Sequence, residues 1–445
     1  MFKQLLLSVA FLFIALNTFS QQDLTLYHMD RIPQVIYTNA AFIPDSRINI
    51  GLPLISSNYF SISNSGFSYN NLFNVDNLIK NLGKRNYFTS NVRTDLLSVG
   101  IAMKESYFTV NVTEHVYSRF TYPKDLFRLV WQGNGQELLG ARASLDGLAY
   151  DMTHYREYAF GFTRKFGAKL TLGARAKYLS GFQNINTKTS RIGLTTNEVT
   201  FDLVADGEME INTSGVNSIY SDSTYNEIEA FKGSGNSGYA LDIGASYDYT
   251  DKISFSASIL DFGFITWKND IKNFRQDDFE FAFEGISLNE LVSKGDTTGE
   301  SALQSLIDSL ENTFVINESD EPYKTWLNSR ILIGGTYKLT DSHTAGALVY
   351  TEFIKGRIRS SLTLSMNTKI KRWLSASASY SIYNRSWTNI GLGFSINAGP
   401  VQLYAVTDNI LAPIVPQVVK NAHVRFGLML TLGRKASGLK KVSLN

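Results

Sequence analysis

The sequence predicts an all-β protein: a transmembrane antiparallel β-barrel of about 14 strands, with 16 as the alternative. Three observations carry this expectation. Apolar and polar residues alternate with a period of two in runs about 9–13 residues long, which suits tilted spanning strands better than the usual five or six. Short and long connections take turns along the chain. Beyond the N-terminus, no window approaches about 18 consecutive apolar residues, so helical spans are excluded.

The alternation is explicit in IRSSLTLSMNTKI. Ile358, Leu362, Leu364, Met366 and Ile370 share one face, and Arg359, Ser361, Thr363, Ser365, Asn367 and Lys369 share the other. LSASASYSI sets Leu374, Ala376, Ala378, Tyr380 and Ile382 against four serines, and LDIGASYDY repeats the pattern at Leu241, Ile243, Ala245, Tyr247 and Tyr249. LTLGARAKY, NIGLGFSIN and VRFGLMLTL follow the same rule. Successive strand side chains point to opposite faces, so each run needs one apolar and one polar environment. A soluble β-sandwich offers both, but run length and turn asymmetry favour the membrane barrel.

Tight turns are read at Thr250-Asp251-Lys252, Thr340-Asp341-Ser342 and Asn397-Ala398-Gly399, and long connections at 212–236, 267–328 and 409–420. Counting back from Leu432 gives roughly 13 strands down to residue 152, with one to three more between 46 and 114; an even total keeps both termini on the periplasmic side. The stretch 187–211 is the least regular, because Gly193 and Asn197 interrupt it.

Residues 1–20 have the layout of a signal peptide: Lys3, an apolar run from Leu5 to Leu16, then Thr18 and Ser20. The expected organisation is this leader, a plug and periplasmic lead-in at 21–45, a barrel at 46–435 and a short periplasmic tail at 436–445, in the outer membrane. Position 21 is Gln and the chain has no Cys, which excludes a lipidated N-terminal cysteine, disulfides and thiolate metal sites. A net charge of +2 argues against nucleic acid. Tyr (23) and Phe (29) are abundant, as strands and membrane-interface belts require.

If the apolar face meets lipid, the polar face lines the lumen. That places Arg175, Lys177, Asp242, Asp248, Lys338, Arg359, Lys369 and Arg425 inside, and their mixed signs predict internal ion pairs rather than one selective ring. Residues 270–321 hold 13 Asp/Glu against three Lys/Arg, a balance of −10. Capping boxes at Ser287–Glu290 and Ser301–Gln304, with Leu303, Leu306, Ile307 and Leu310 at helical spacing, predict two short helices in an acidic external loop. The loop is expected to keep the barrel mouth solvated, with a basic partner or divalent cations as the alternative.

Catalytic signatures are absent. His28, His115, His154, His343 and His423 show no metal spacing, and GSGNSG at 233–238 precedes a strand, not a phosphate-binding helix. Asp151 and His154 form the one acid–His pair worth naming, but three residues apart on a strand they face opposite ways. No enzyme, cofactor or metal is expected.

Four stretches carry a resemblance: LYHMDRIPQVIYTNAAFIP, INIGLPLISSNYFSISNSGFSYNNLF, ASILDFGFITW and PVQLYAVTDNIL. They resemble an uncharacterised outer-membrane β-barrel family of Bacteroidetes-type bacteria. That family is distantly similar to the long-chain fatty-acid transporter barrels and to barrel proteins of type IX secretion and gliding. In the transporter group an N-terminal segment bearing Asn-Pro-Ala plugs the lumen; Asn39, Ala40, Ala41 and Phe42 match it, with Ala40 in place of the proline. The resemblance implies passive transport of a small molecule past that plug, a hydrophobic one being among the candidates, in a barrel expected to be monomeric and surrounded by outer-membrane lipid. The alternative it implies is a non-enzymatic platform for a secretion or surface complex. Asn39 suits a turn and Pro44 directs the chain into extended structure, so 37–44 reads as plug and lead-in.

Overall fold

The computed structural model describes residues 23–67, 74–135, 138–216, 235–283, 316–383, 386–415 and 419–433. The leader, the tail at 436–445, most of 212–236, and both capping boxes with their leucines lie outside these residues. One sheet contains β1 (Ile48–Gly51), β2 (Asn58–Asn64), β3 (Arg85–Met103), β4 (Ser106–Pro123), β5 (Arg142–Ser144), β6 (Ala149–Phe166) and β7 (Leu170–Thr196). It continues through β8 (Leu203–Ser214), β9 (Asn236–Asp248), β10 (Ile253–Trp267), β11 (Asn273–Phe283), β12 (Asn317–Ser319), β13 (Tyr323–Trp326) and β14 (Arg330–Lys338). The last strands are β15 (His343–Ile354), β16 (Arg357–Lys369), β17 (Leu374–Tyr383), β18 (Ser386–Ala398), β19 (Val401–Thr407) and β20 (Asn421–Leu432).

The sheet closes into a 14-stranded antiparallel barrel. β1 and β2 form its first stave, pairing with β20 on one side and β3 on the other. β13 and β14 together form the eighth stave, against β10. β3, β4, β6, β7, β9, β10 and β15 to β20 supply the rest. Closure gives each stave of the wall a hydrogen-bonded neighbour on both sides, as a structure surrounded by hydrocarbon requires. No helix among the described residues is long and apolar enough to cross a membrane.

Burial along the strands is inverted relative to a water-soluble protein. On β16, Ser361, Thr363 and Ser365 are 5%, 0% and 8% exposed, while Leu362, Leu364 and Met366 are 46%, 55% and 40% exposed. A sandwich would bury the leucines; this sheet buries the hydroxyls, so its apolar face is built to meet lipid. On that face Tyr158, Tyr178 and Tyr239 stand side by side in register, with ring centroids 6.1 and 5.8 Å apart. Tyr247 lies eight residues below Tyr239 on β9. At ~3.3 Å per residue and a tilt near 40°, the two levels are roughly 20 Å apart, close to the height of an outer-membrane apolar band.

The expected distribution of strands along the chain needs correcting. Three staves precede Ala149 and eleven follow it, against roughly 13 expected from residue 152 onward. The stretch 187–211 makes no stave of its own. The upper part of β7 leaves the wall beyond Gly181 and pairs with β8, which pairs with β11, so a small sheet rises above the barrel and takes in part of 267–328. Nor are all upper connections long: β15 and β16 are joined through Lys355 and Gly356 alone, both at positive φ.

Candidate functional site

The interior is occupied by the segment 23–45. Two short 3-10 turns, Leu26–His28 and Pro33–Tyr37, fold it into the lumen, where Leu24, Leu26, Tyr27, Ile32, Val35 and Asn39 are fully buried. Pro33 sits at the first position of its turn, where its missing N–H costs nothing. The segment binds opposite walls. The Leu24 and Thr25 amides donate to Asp408 at 3.0 and 2.7 Å, and Arg425 grips Asp23 with two hydrogen bonds of 2.7 and 2.8 Å. On other strands, Ser258 donates to the Thr38 carbonyl and Thr163 to the Ala40 carbonyl, at 2.8 and 2.6 Å.

Asn39 closes a local turn, its Oδ1 accepting the Ala41 amide at 2.9 Å while Nδ2 donates to the Ala257 carbonyl at 3.2 Å. Ala40 and Ala41 lie against β7 and β9, where two inward glycines make room for them. A Cβ on Gly173 would fall 2.0 Å from the Ala40 oxygen, and one on Gly244 would fall 2.0 Å from Asn39 Oδ1. Gly334, Gly346 and Gly391 clear comparable space for Tyr27, His28 and Thr25. Phe42 packs edge-on against Tyr27, 5.2 Å between centroids, beside Leu260, Leu332, Leu348 and Tyr350.

Above the segment lies a buried ion network. Arg175 pairs with Asp242 at 2.8 Å and Glu157 at 3.2 Å; Lys177 pairs with Asp242 at 2.8 Å and Glu157 at 3.3 Å. Asp261 joins Lys177 and Arg330, each at 2.5 Å. The other lumen candidates lie elsewhere. Asp248 accepts from Ser254 at 2.7 Å, Lys338 lines a cavity at the lower end, Lys369 pairs with Asp30 at 3.0 Å, and Arg359 stacks 3.7 Å over the Tyr87 ring.

Glu157, Asp261 and Arg330 were not singled out from the sequence. Asp261 occupies a bulge where the β9–β10 register slips between Ile259 and Phe262, so the period of two that marks inward positions fails there. The slip itself, an acid inside ILDFGF, was the available signal. Asp151 and His154 do not meet. Asp151 points inward to Lys355, whereas His154 turns outward and bonds Glu114 at 2.6 Å, with Arg156 on the same carboxylate at 2.7 Å. Among the described residues no group of three or more His, Asp or Glu could hold a metal ion.

Two cavities flank the segment. The upper, about 490 Å³, is lined by residues including Arg93, Arg119, Asp151, Asn184 and Glu352. The lower, about 290 Å³, lies beneath Tyr27, His28 and Phe42 and is lined by Asp248, Lys338 and Lys369. Under the upper cavity the space narrows to about 20 Å³ among Tyr37, Asp95, Arg175, Lys177 and Arg425. There the Tyr37 hydroxyl donates to Asp95 at 2.7 Å, with Arg175 and Arg425 5.2 and 5.5 Å from its ring centre.

Comparison with solved structures gives distant likenesses. The toluene transporter TbuX of Ralstonia pickettii is 8% identical with a TM-score of 0.44, over 90% of this chain and 94% of that one. The Pseudomonas putida toluene transporter TodX is 9% identical (TM-score 0.41; 90% and 94%), and a Pseudomonas aeruginosa FadL homologue 11% identical (0.38; 91% and 94%). No curated protein matches the sequence. The family model of DUF5723, described as a family of unknown function, matches residues 41–408, so the chain belongs to that family.

Proposed function

We propose that this protein is an outer-membrane channel for a small molecule, closed at rest by residues 23–45. The observation that carries this reading is the position of that segment, between an upper cavity of about 490 Å³ and a lower one of about 290 Å³. The apolar outer belt suits a bilayer, and the short lower turns suit the periplasmic side. Closure rests on hydrogen bonds, the Asp23–Arg425 ion pair and apolar packing, all of them non-covalent, so the segment can be displaced without unfolding the wall. Charged and amide side chains stand in the lining of both cavities, which weighs toward a passenger that bears polar groups. Deleting residues 23–45 behind the leader is expected to raise single-channel conductance in planar bilayers. Conductance equal to that of the intact protein overturns the reading.

A binding platform for a surface complex is the second reading, favoured by the sheet that β5, upper β7, β8 and β11 raise above the barrel. A photo-crosslinker at Glu280 on β11 would give one defined adduct on cells if it holds, and uncrosslinked protein alone if it does not.

A further inference from the structure

We infer that the upper cavity is a binding site for a small solute carrying a carboxylate or phosphate, held by Arg93 and Arg119. The inference rests on the channel reading and names the class of its passenger.

Charge around the cavity is unevenly paired. Its acids are already committed. Asp261 is neutralised by Lys177 and Arg330. Asp151 faces Arg119 across the β4–β6 ladder, yet its carboxylate turns to Lys355, which reaches over the barrel mouth from the β15–β16 hairpin. Glu352 lies in register between Arg330 on β14 and Arg359 on β16, and Arg93 and Arg119 also act on it at longer range, so four cations surround one carboxylate.

Among the arginines of the lining, Arg93 and Arg119 remain. Neither has a carboxylate within ion-pair distance among the described residues, and both line the cavity. Their contacts are aromatic: Arg93 sits 5.0 Å from the Tyr59 ring centre and Arg119 4.5 Å from that of Tyr87. Arg119 is 5% exposed, its Nε reaches Thr121 at 3.4 Å, and its Nη1 is buried with no hydrogen-bond partner. A buried guanidinium N–H without an acceptor is costly, and a bound oxyanion supplies the acceptor that the wall withholds. The ring stacking fixes the guanidinium planes in advance, so little side-chain entropy is lost when the fork engages a carboxylate or phosphate. The lining sets Arg93, Arg119, Lys324 and Lys355 against Asp151, Asp261 and Glu352, and an excess of cations in a cleft with low-dielectric walls concentrates anions from solution.

The test is calorimetric titration of the full-length protein in detergent at low salt. Inorganic phosphate and glutarate are the probes, and tetramethylammonium is the cationic control. Saturable binding of either anion is expected, weakened by added KCl, and roughly tenfold or more weaker in R93Q and in R119Q, since each removes charge-assisted hydrogen bonds. R119K keeps the charge but loses the fork, and falls between. A heat-dependent gel shift confirms that each variant is folded; if R119Q does not fold, R93Q on a half-buried side chain carries the test. Absence of saturable anion binding, affinity unchanged in the variants, or equal binding of tetramethylammonium overturns the inference. Conductance after deletion of residues 23–45 reads the channel independently, so the two ideas fail separately.

Discussion

Asp261 shows how much one side chain holds together inside this barrel. Its backbone is left-handed (φ 56°), a conformation Asp tolerates better than most residues, and its amide donates to Asp242 at 2.7 Å. Its carboxylate compensates two buried cations, Lys177 and Arg330. A buried pair adds little compared with an apolar substitute, but removing one partner strands the other. Asp261→Ala is therefore expected to cost about 3–5 kcal/mol, read from urea unfolding of the liposome-inserted barrel. An unmoved midpoint contradicts the network. Gly244 makes the complementary case. A Cβ there would fall 2.0 Å from Asn39 Oδ1, so Gly244→Val is expected to push the segment from its seat while the wall stays closed. Raised conductance with an unchanged gel shift would be the signature, and a wild-type conductance trace would refute it.

Among the elements, the small sheet above the barrel is the part water reaches on both sides. Arg142 on β5 and Asp206 on β8 clamp it with a forked pair, 2.7 Å at the shortest contact. The hydrogen bonds from Arg142 hold the Asp206 carboxyl below its ordinary pKa of 3.8. Because the folded value lies below the unfolded one, the pair's contribution is present in full above the unfolded value and is lost as pH falls through the folded one. Both groups are more than a third exposed, so the contribution is at most about 1 kcal/mol. Limited proteolysis is expected to cut β8 faster on acidification below about pH 4, and Asp206→Asn to cut as fast at neutral pH. Equal rates for wild type and variant at neutral pH would remove the clamp.

At the scale of the whole molecule, the outward apolar belt decides the environment. Leu364 lies midway along β16 and faces out, so Leu364→Arg is expected to cost about 2–4 kcal/mol in a bilayer, with Ser365→Ala on the other face costing far less. Equal costs would place the belt elsewhere. Period-two runs such as Leu362–Met366 made the barrel and its strand total legible in the sequence, because side-chain alternation is a local consequence of the strand backbone. The same runs give the expectation that Arg175, Lys177, Asp242 and Arg425 face inward. Asp261 and the β7 branch point escaped, since bulges and strands that leave the wall break that period. Which cation meets which acid was hidden too, because Arg425 and Asp23 are 402 positions apart and no local rule joins them. A closed barrel with an apolar outside and a polar inside was readable from local pattern alone, because each strand carries its own two faces. The burial of residues 23–45 among the strands, and the lack of a carboxylate within ion-pair distance of Arg93 and Arg119 among the described residues, were not legible there, because both depend on which side chains of distant strands face one another across the lumen.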